Sequence, residues 1–216
     1  MTPRIKICGL STPDMVDAAL AAGADCLGFV FYEPSPRHIS YETAAALNAC
    51  VAGRAEKVAL TVDADDARLA AIAEALDPDW FQLHGAEDPQ RVREIRARFS
   101  RPVIKAIHIA RAEDAAAAAA YIDAADMLLY DAKAPAGMAG ALPGGNGMLF
   151  DWTLIGAAER RLPMMLSGGL DPDNIADAIR IVRPDAIDVS SGVERRPGEK
   201  DPERIALFVQ RARSVQ

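Results

Sequence analysis

Eight short runs rich in Val, Ile, Leu and Phe recur along the chain, each followed by a stretch of helix-like composition, and this alternation narrows the fold more than any other feature. The runs are Ile5 to Cys8, Cys26 to Phe31, Lys57 to Val62, Trp80 to His84, Val103 to Ile107, Met127 to Asp131, Met164 to Ser167 and Ala186 to Ser190. Helix starts are visible at Ser11-Thr12-Pro13-Asp14, at Ser40 before Tyr41, at Asp88-Pro89 and at Asp171-Pro172-Asp173, each a capping side chain beside an early proline or acid. Parallel βα units in this number either close into a barrel or lie in an open doubly wound sheet. The open sheet would show Gly-x-Gly-x-x-Gly after its first strand, and the first turn here reads Cys8-Gly9-Leu10-Ser11-Thr12-Pro13. The glycine turns instead follow strands seven and eight, at Ser167-Gly168-Gly169-Leu170 and Ser190-Ser191-Gly192-Val193, where barrels of this kind bind phosphate. The expectation is an α/β chain folded as a single (β/α)8 TIM barrel over residues 1–216, with a phosphate site after strands 7 and 8.

Composition removes several function classes. A formal net charge of −7 argues against a nucleic-acid partner, because phosphate backbones are held by basic surfaces. No run of 18 or more apolar residues offers a membrane span. The opening Met1-Thr2-Pro3-Arg4 runs straight into a strand without the apolar segment of a signal peptide, so the expected location is cytoplasmic. Cys8, Cys26 and Cys50 have neither paired nor metal-type spacing and are expected as free thiols. The expected assembly is a monomer or a homodimer. Two stretches stand out: the alanine-rich Glu113 to Tyr121 predicts a surface helix, and Ala132 to Phe150 is too long for an ordinary βα connection and predicts a covering loop.

In a barrel the carboxyl ends of the strands carry function. Those ends hold Cys8, Gln82, His84, His108, Asp131, Ser167, Asp188 and Ser190, with Arg37 and Asp63 in nearby loops. The tandem glycine turns, with a short helix at Gly192 to Glu194, present backbone N–H groups to one point and predict a bound phosphate. Cys8 and Asp131 at one rim suit a base and an acid acting on one small substrate. Arg37, between prolines in Pro34-Ser35-Pro36-Arg37-His38, could clamp a carboxylate through both arms of its guanidinium. Gln82 and His84 share a strand face and point together into the barrel top. Lys6 lies on the same face as Cys8 and is the candidate for lowering the thiol's pKa. No His-x-His, His-x-Asp or Cys-x-x-Cys pair sits at a strand end, so no metal is expected.

The ordered motifs Lys6-Ile7-Cys8-Gly9, Gly28-Phe29-Val30-Phe31, Ser35-Pro36-Arg37, Gln82-Leu83-His84-Gly85, Leu128-Leu129-Tyr130-Asp131, Phe150-Asp151-Trp152, Ser167-Gly168-Gly169-Leu170 and Asp188-Val189-Ser190-Ser191-Gly192-Val193-Glu194 resemble those of the phosphoribosylanthranilate isomerase family. The resemblance implies an Amadori rearrangement of a small phosphosugar, without a cofactor. It implies Asp131 as general acid, Cys8 as general base and Arg37 at the anthranilate carboxylate. It places Gly168, Gly169, Ser190, Ser191 and Gly192 at the phosphate and Asp188 at a sugar hydroxyl, with Gln82 and His84 beside the substrate. The chain departs from the family at Gly144-Gly145-Asn146-Gly147-Met148, where Gly-Gly-Thr-Gly-Lys is usual. Alternatives are another phosphosugar isomerase barrel or a non-catalytic barrel that binds a phosphate ligand.

Overall fold

A computed structural model of the chain describes residues 2–132, 152, 155 and 161–215. Eight parallel strands close in chain order into one barrel: β1 Arg4–Cys8, β2 Cys26–Phe31, β3 Glu56–Thr61, β4 Trp80–Leu83, β5 Val103–Ile109, β6 Met127–Ala132, β7 Met164–Leu166 and β8 Ala186–Val189. The seam is made by β1 against β8, with Lys6 opposite Asp188. β2 coincides with the expected run, and the other strands differ from theirs by one or two residues at an end, because hydrogen bonding and apolar composition stop at slightly different places.

Alternation along each strand divides the core in two. One set of side chains, including Ile5, Ile7, Leu27, Phe29, Phe81, Leu83 and Ile187, packs outward against the helices in a large apolar layer. Burying each Leu, Ile or Phe there contributes roughly 1.5–3 kcal/mol. The other set points into the barrel, and its lower tier is apolar: Cys26, Val58, Ile104, Ala106, Met127, Leu129, Met165 and Ala186, with Trp80 against them. Two residues further along the same strands the character changes. Lys6 and Cys8 rise above Arg4, Gln82 and His84 above Trp80, His108 above Ala106, Asp131 above Leu129, and Asp188 above Ala186. An apolar plug thus supports a polar floor at the carboxyl ends of the strands.

Helices enter as their caps predict at three of the four places. Thr12 accepts from the Met15 amide, Ser40 from Thr43 and Asp88 from Arg91. At the fourth, Asp171 turns back on the amides of Asp173 and Asn174, at 2.7 and 3.0 Å, and the helix begins later, at Ile175. The alanine-rich stretch does not form one continuous surface helix. It runs as a short α-helix, Ala112–Ala117, then a 3-10 turn, Ala118–Tyr121, which buries Ala118 and brings the Tyr121 hydroxyl to the Glu87 carbonyl at 3.0 Å. The expected covering loop lies outside the described residues beyond Ala132. No helix among the described residues is long and apolar enough to cross a membrane.

Candidate active site

Cys8 ends β1 with Lys6 below it on the same inward face. The Lys6 ammonium is fully buried and meets Asp188 Oδ1 at 2.8 Å, while Ser167 Oγ donates to Asp188 Oδ2 at 3.3 Å. Room for this cluster comes from the adjacent strand. Gly28 pairs with Cys8 in register, and a methyl group at Gly28 would lie 2.8 Å from Cys8 Sγ and 2.9 Å from Lys6 Nζ. A glycine inside a strand is itself a sign of such an approach, and Gly28 is the residue whose role the sequence reading passed over.

The ionisation of Cys8 departs from expectation. Burial is the strongest influence and pushes the thiol up; Lys6 pulls it down and Asp188 pushes it up again, leaving the net shift upward. Lys6 acts in the direction expected of it, but desolvation wins. Burial also works against the Lys6 charge, yet Asp188 and Cys8 more than offset it, so the ammonium stays protonated.

On the other flank, three residues form a chain ending at Asp131. Gln82 Nε2 lies 3.0 Å from His84 Nδ1, and His84 Nε2 lies 3.2 Å from Asp131 Oδ2. With the amide N–H donating to Nδ1, the ring proton sits on Nε2 and Asp131 Oδ2 accepts it. Asp131 Oδ1 accepts from the Ala132 amide at 2.9 Å. Gln82 and His84 therefore stand buried behind Asp131 and orient it. His108, directly opposite Asp131 in the β5–β6 register, brings its ring to 5.2 Å from that of His84. Burial first, and His84 second, hold the His108 pKa below the ordinary histidine value. The ligand atoms of His84, His108 and Asp131 lie within 4.8 Å of one another. Strand-internal spacing cannot reveal this grouping, because it is made by pairing between strands.

The two glycine turns are in contact. Gly168 and Gly169 adopt φ of 85° and 64°, and the second turn continues into a 3-10 helix, Ser191–Val193. A methyl group at Gly192 would overlap the Leu170 carbonyl. Ser190 is tied down from both sides: its hydroxyl donates to the Cys8 carbonyl at 3.1 Å, and Lys200 Nζ reaches its carbonyl and hydroxyl at 3.0 and 3.2 Å. The glycine at position 168 also leaves room for Asp131, since a Cβ there would sit 2.5 Å from the Ala132 amide nitrogen and 2.9 Å from Asp131 Oδ1. Gly168→Ala is accordingly expected to lower kcat as well as raise KM for the phosphosugar, each by about tenfold or more. Steady-state kinetics check this, and a change in KM alone would detach Gly168 from Asp131.

Arg37 is not a solvated loop arginine. It is buried, and its Nε and Nη2 hold Glu194 Oε1 and Oε2, both at 2.8 Å. The guanidinium edge expected to grip a ligand carboxylate is thus occupied by a protein carboxylate. Lys200, fully buried, adds a 2.6 Å contact to Glu194 Oε1; burial lowers its pKa more than Glu194 raises it. Burial presses the Glu194 pKa up, but Arg37 and Lys200 outweigh it and hold the carboxylate below its usual range. Gly9, at φ 81°, makes the space: a Cβ there would lie 2.5 Å from Arg37 Cδ. Glu194 stands in a quoted motif, whereas Lys200 carries no sequence signal and is found only through β9 (Glu194–Arg196) pairing with β10 (Glu199–Lys200).

A family model described as N-(5'phosphoribosyl)anthranilate (PRA) isomerase matches residues 5–211. The chain belongs to the phosphoribosylanthranilate isomerase family. An N-(5'-phosphoribosyl)anthranilate isomerase of Parvibaculum lavamentivorans is 56% identical over 213 residues, 99% of each chain. Among solved structures, the phosphoribosylanthranilate isomerase of Thermotoga maritima superposes with a TM-score of 0.88 at 35% identity, covering 98% of each chain. A phosphoribosylanthranilate isomerase in complex with reduced 1-(o-carboxyphenylamino)-1-deoxyribulose 5-phosphate gives 0.85 at 34% identity, again over 98% of each. Family membership makes this chain an aldose–ketose isomerase of tryptophan biosynthesis.

Proposed function

We propose that the protein rearranges N-(5-phospho-β-D-ribosyl)anthranilate to 1-(2-carboxyphenylamino)-1-deoxy-D-ribulose 5-phosphate, with Asp131 as general acid and Cys8 as general base. The observation carrying this reading is that the two ends of the barrel mouth are differently equipped, in a chain of this family. Asp131 has a histidine behind it, and Cys8 stands over a buried ammonium. Between them in the barrel wall lie β7 and β8, whose glycine turns suit a phosphate.

Acid and base each move one proton, and a final tautomerisation carries the C2 hydroxyl proton off as C1 takes one up. The Asp131 carboxyl gives a proton to the furanose ring oxygen, the C1–oxygen bond breaks, and the anthranilate nitrogen lone pair forms a Schiff base. The Cys8 thiolate then takes the C2 proton, and the resulting enolamine tautomerises to the ketone. Neither step requires a cofactor. The phosphate sits on Gly168, Gly169, Ser190, Ser191 and Gly192. The anthranilate carboxylate faces Arg37, which Glu194 and Lys200 hold in place, and Asp188 meets a sugar hydroxyl. The working assembly is a monomer or a homodimer in the cytoplasm; among the relatives, one solved structure is of monomers of the dimeric phosphoribosylanthranilate isomerase of Thermotoga maritima.

The test is a fluorescence assay in which the substrate is generated in place from anthranilate and phosphoribosyl pyrophosphate by the upstream transferase. Loss of signal on adding the wild-type protein, and none with Cys8→Ala, is the expected result. A folded wild-type protein that binds a phosphate ligand but produces no decay would overturn the reaction assignment.

A further inference from the structure

We propose that His84, His108 and Asp131 form a binding site for a Zn²⁺-type transition-metal dication at the barrel mouth, and that occupying it stops isomerisation by capturing Asp131. The inhibitory part rests on the acid role given to Asp131 above; the binding part does not. Two imidazoles and a carboxylate are a ligand set for borderline dications, with an open position left for water. The ligand atoms are close enough for a metal to take the place of the proton now shared between His84 and Asp131. Metal–ligand bonds of about 2.0–2.1 Å in a tetrahedron give ligand–ligand edges of about 3.3 Å, and His84 Nε2 lies 3.2 Å from Asp131 Oδ2. The third ligand atom is within 4.8 Å of the others, so closing the triangle needs a shift of at most about 1.5 Å. His108 is the group able to make it. Its ring is the partly exposed one of the three, and its hydrogen bond to the His84 carbonyl, at 3.4 Å, is at the weak limit.

The neighbouring lysines are each paired, Lys6 with Asp188 and Lys105 with Glu87 at 2.7 Å, which limits but does not remove their repulsion of a bound cation. One surrounding feature favours a cation. Gln82, fully buried, has an Oε1 that finds no hydrogen-bond partner among the described residues, beside its contact to His84. A metal on Nε2 moves the imidazole proton to Nδ1, and rotation of the Gln82 amide turns that oxygen into its acceptor, the orienting bond that metal-bound histidines require. The grouping runs against the sequence expectation of no metal because each residue comes from a different strand.

The test is Co²⁺ titrated into the metal-stripped full-length protein and read by visible absorption, followed by Zn²⁺ displacement and by Zn²⁺ inhibition of the isomerase. Expected are saturable tetrahedral d–d bands without a thiolate charge-transfer band, loss of affinity by more than about tenfold in His108→Asn, and an equal rise in the inhibiting Zn²⁺ concentration for that variant. Bands unchanged by His108→Asn, a thiolate band pointing to Cys8, or no saturation would each overturn the site. The spectrum is read without substrate, so failure of the isomerase reading would leave the binding result standing. Conversely, an unaltered spectrum in an active enzyme would sink the metal site alone.

Discussion

Cys8→Ala and Asp131→Ala are each expected to cut turnover by about 10³-fold or more while leaving affinity for a phosphate ligand within a few-fold. Cys8 touches the second glycine turn through its backbone carbonyl, which accepts from Ser190 and which alanine retains, and Asp131 lies against Gly168 only through its carboxyl, whose removal opens space there rather than filling it. Asp131→Asn sharpens the experiment. The amide keeps the size of the carboxyl and one of its two acceptors, for either His84 or the Ala132 amide, while the transferable proton is lost, and turnover should fall as far as in Asp131→Ala. An asparagine variant retaining about a tenth of wild-type rate would mean that Asp131 orients something else rather than donating a proton. For Cys8 the companion measurement is the pH profile of kcat/KM. Burial holds the thiol above its ordinary value of about 8.5. The fraction ionised at neutral pH is then small, and the rate should climb as pH rises toward that range. A profile already flat from pH 6 upward would contradict a thiol base in this environment.

Much of this was legible in the chain, for reasons that differ from residue to residue. The barrel follows from eight alternating units, because each apolar run long enough for a strand is separated from the next by a helix-length polar stretch, and period two then dictates which strand-end residues face inward. Cys8, Gln82, His84, Asp131 and Asp188 are inward on that count alone. What escaped depends on contacts between strands and on volume. Gly28 matters through the Cys8 and Lys6 atoms beside it, one strand away. Lys200 reaches Ser190 and Glu194 only after a small hairpin folds back. Arg37 could be located in a stiff loop but its carboxylate partner, Glu194, lies 157 residues away. The Cys8 pKa was misjudged because a sequence displays the nearby lysine and hides the cost of burial, which is set by the whole tertiary environment.

Lys6→Met should be the most damaging substitution for stability among the inward-facing residues, at about 3–5 kcal/mol, because it leaves the Asp188 carboxylate buried without its cation. The double variant Lys6→Met/Asp188→Asn should recover a large part of that loss, since removing both charges also removes the unpaired one; urea unfolding of the four proteins measures the coupling. The pH dependence has a definite sign. The Lys6 pKa is raised in the folded state, so its contribution is fully present below the ordinary lysine value of 10.5 and is lost only as pH rises above it. The wild-type advantage over Lys6→Met should therefore show no lysine titration between about pH 6 and 9. Alkylation of Cys8 by iodoacetamide separates this structural effect from the chemical one. Lys6 pulls the thiol pKa down and Asp188 pushes it up, so Lys6→Met should move the alkylation midpoint to higher pH and Asp188→Asn to lower pH. Shifts in the same direction would mean that both variants act by loosening the strand rather than through charge, and Lys6 would then be a buried counter-ion for Asp188 with no influence on the base.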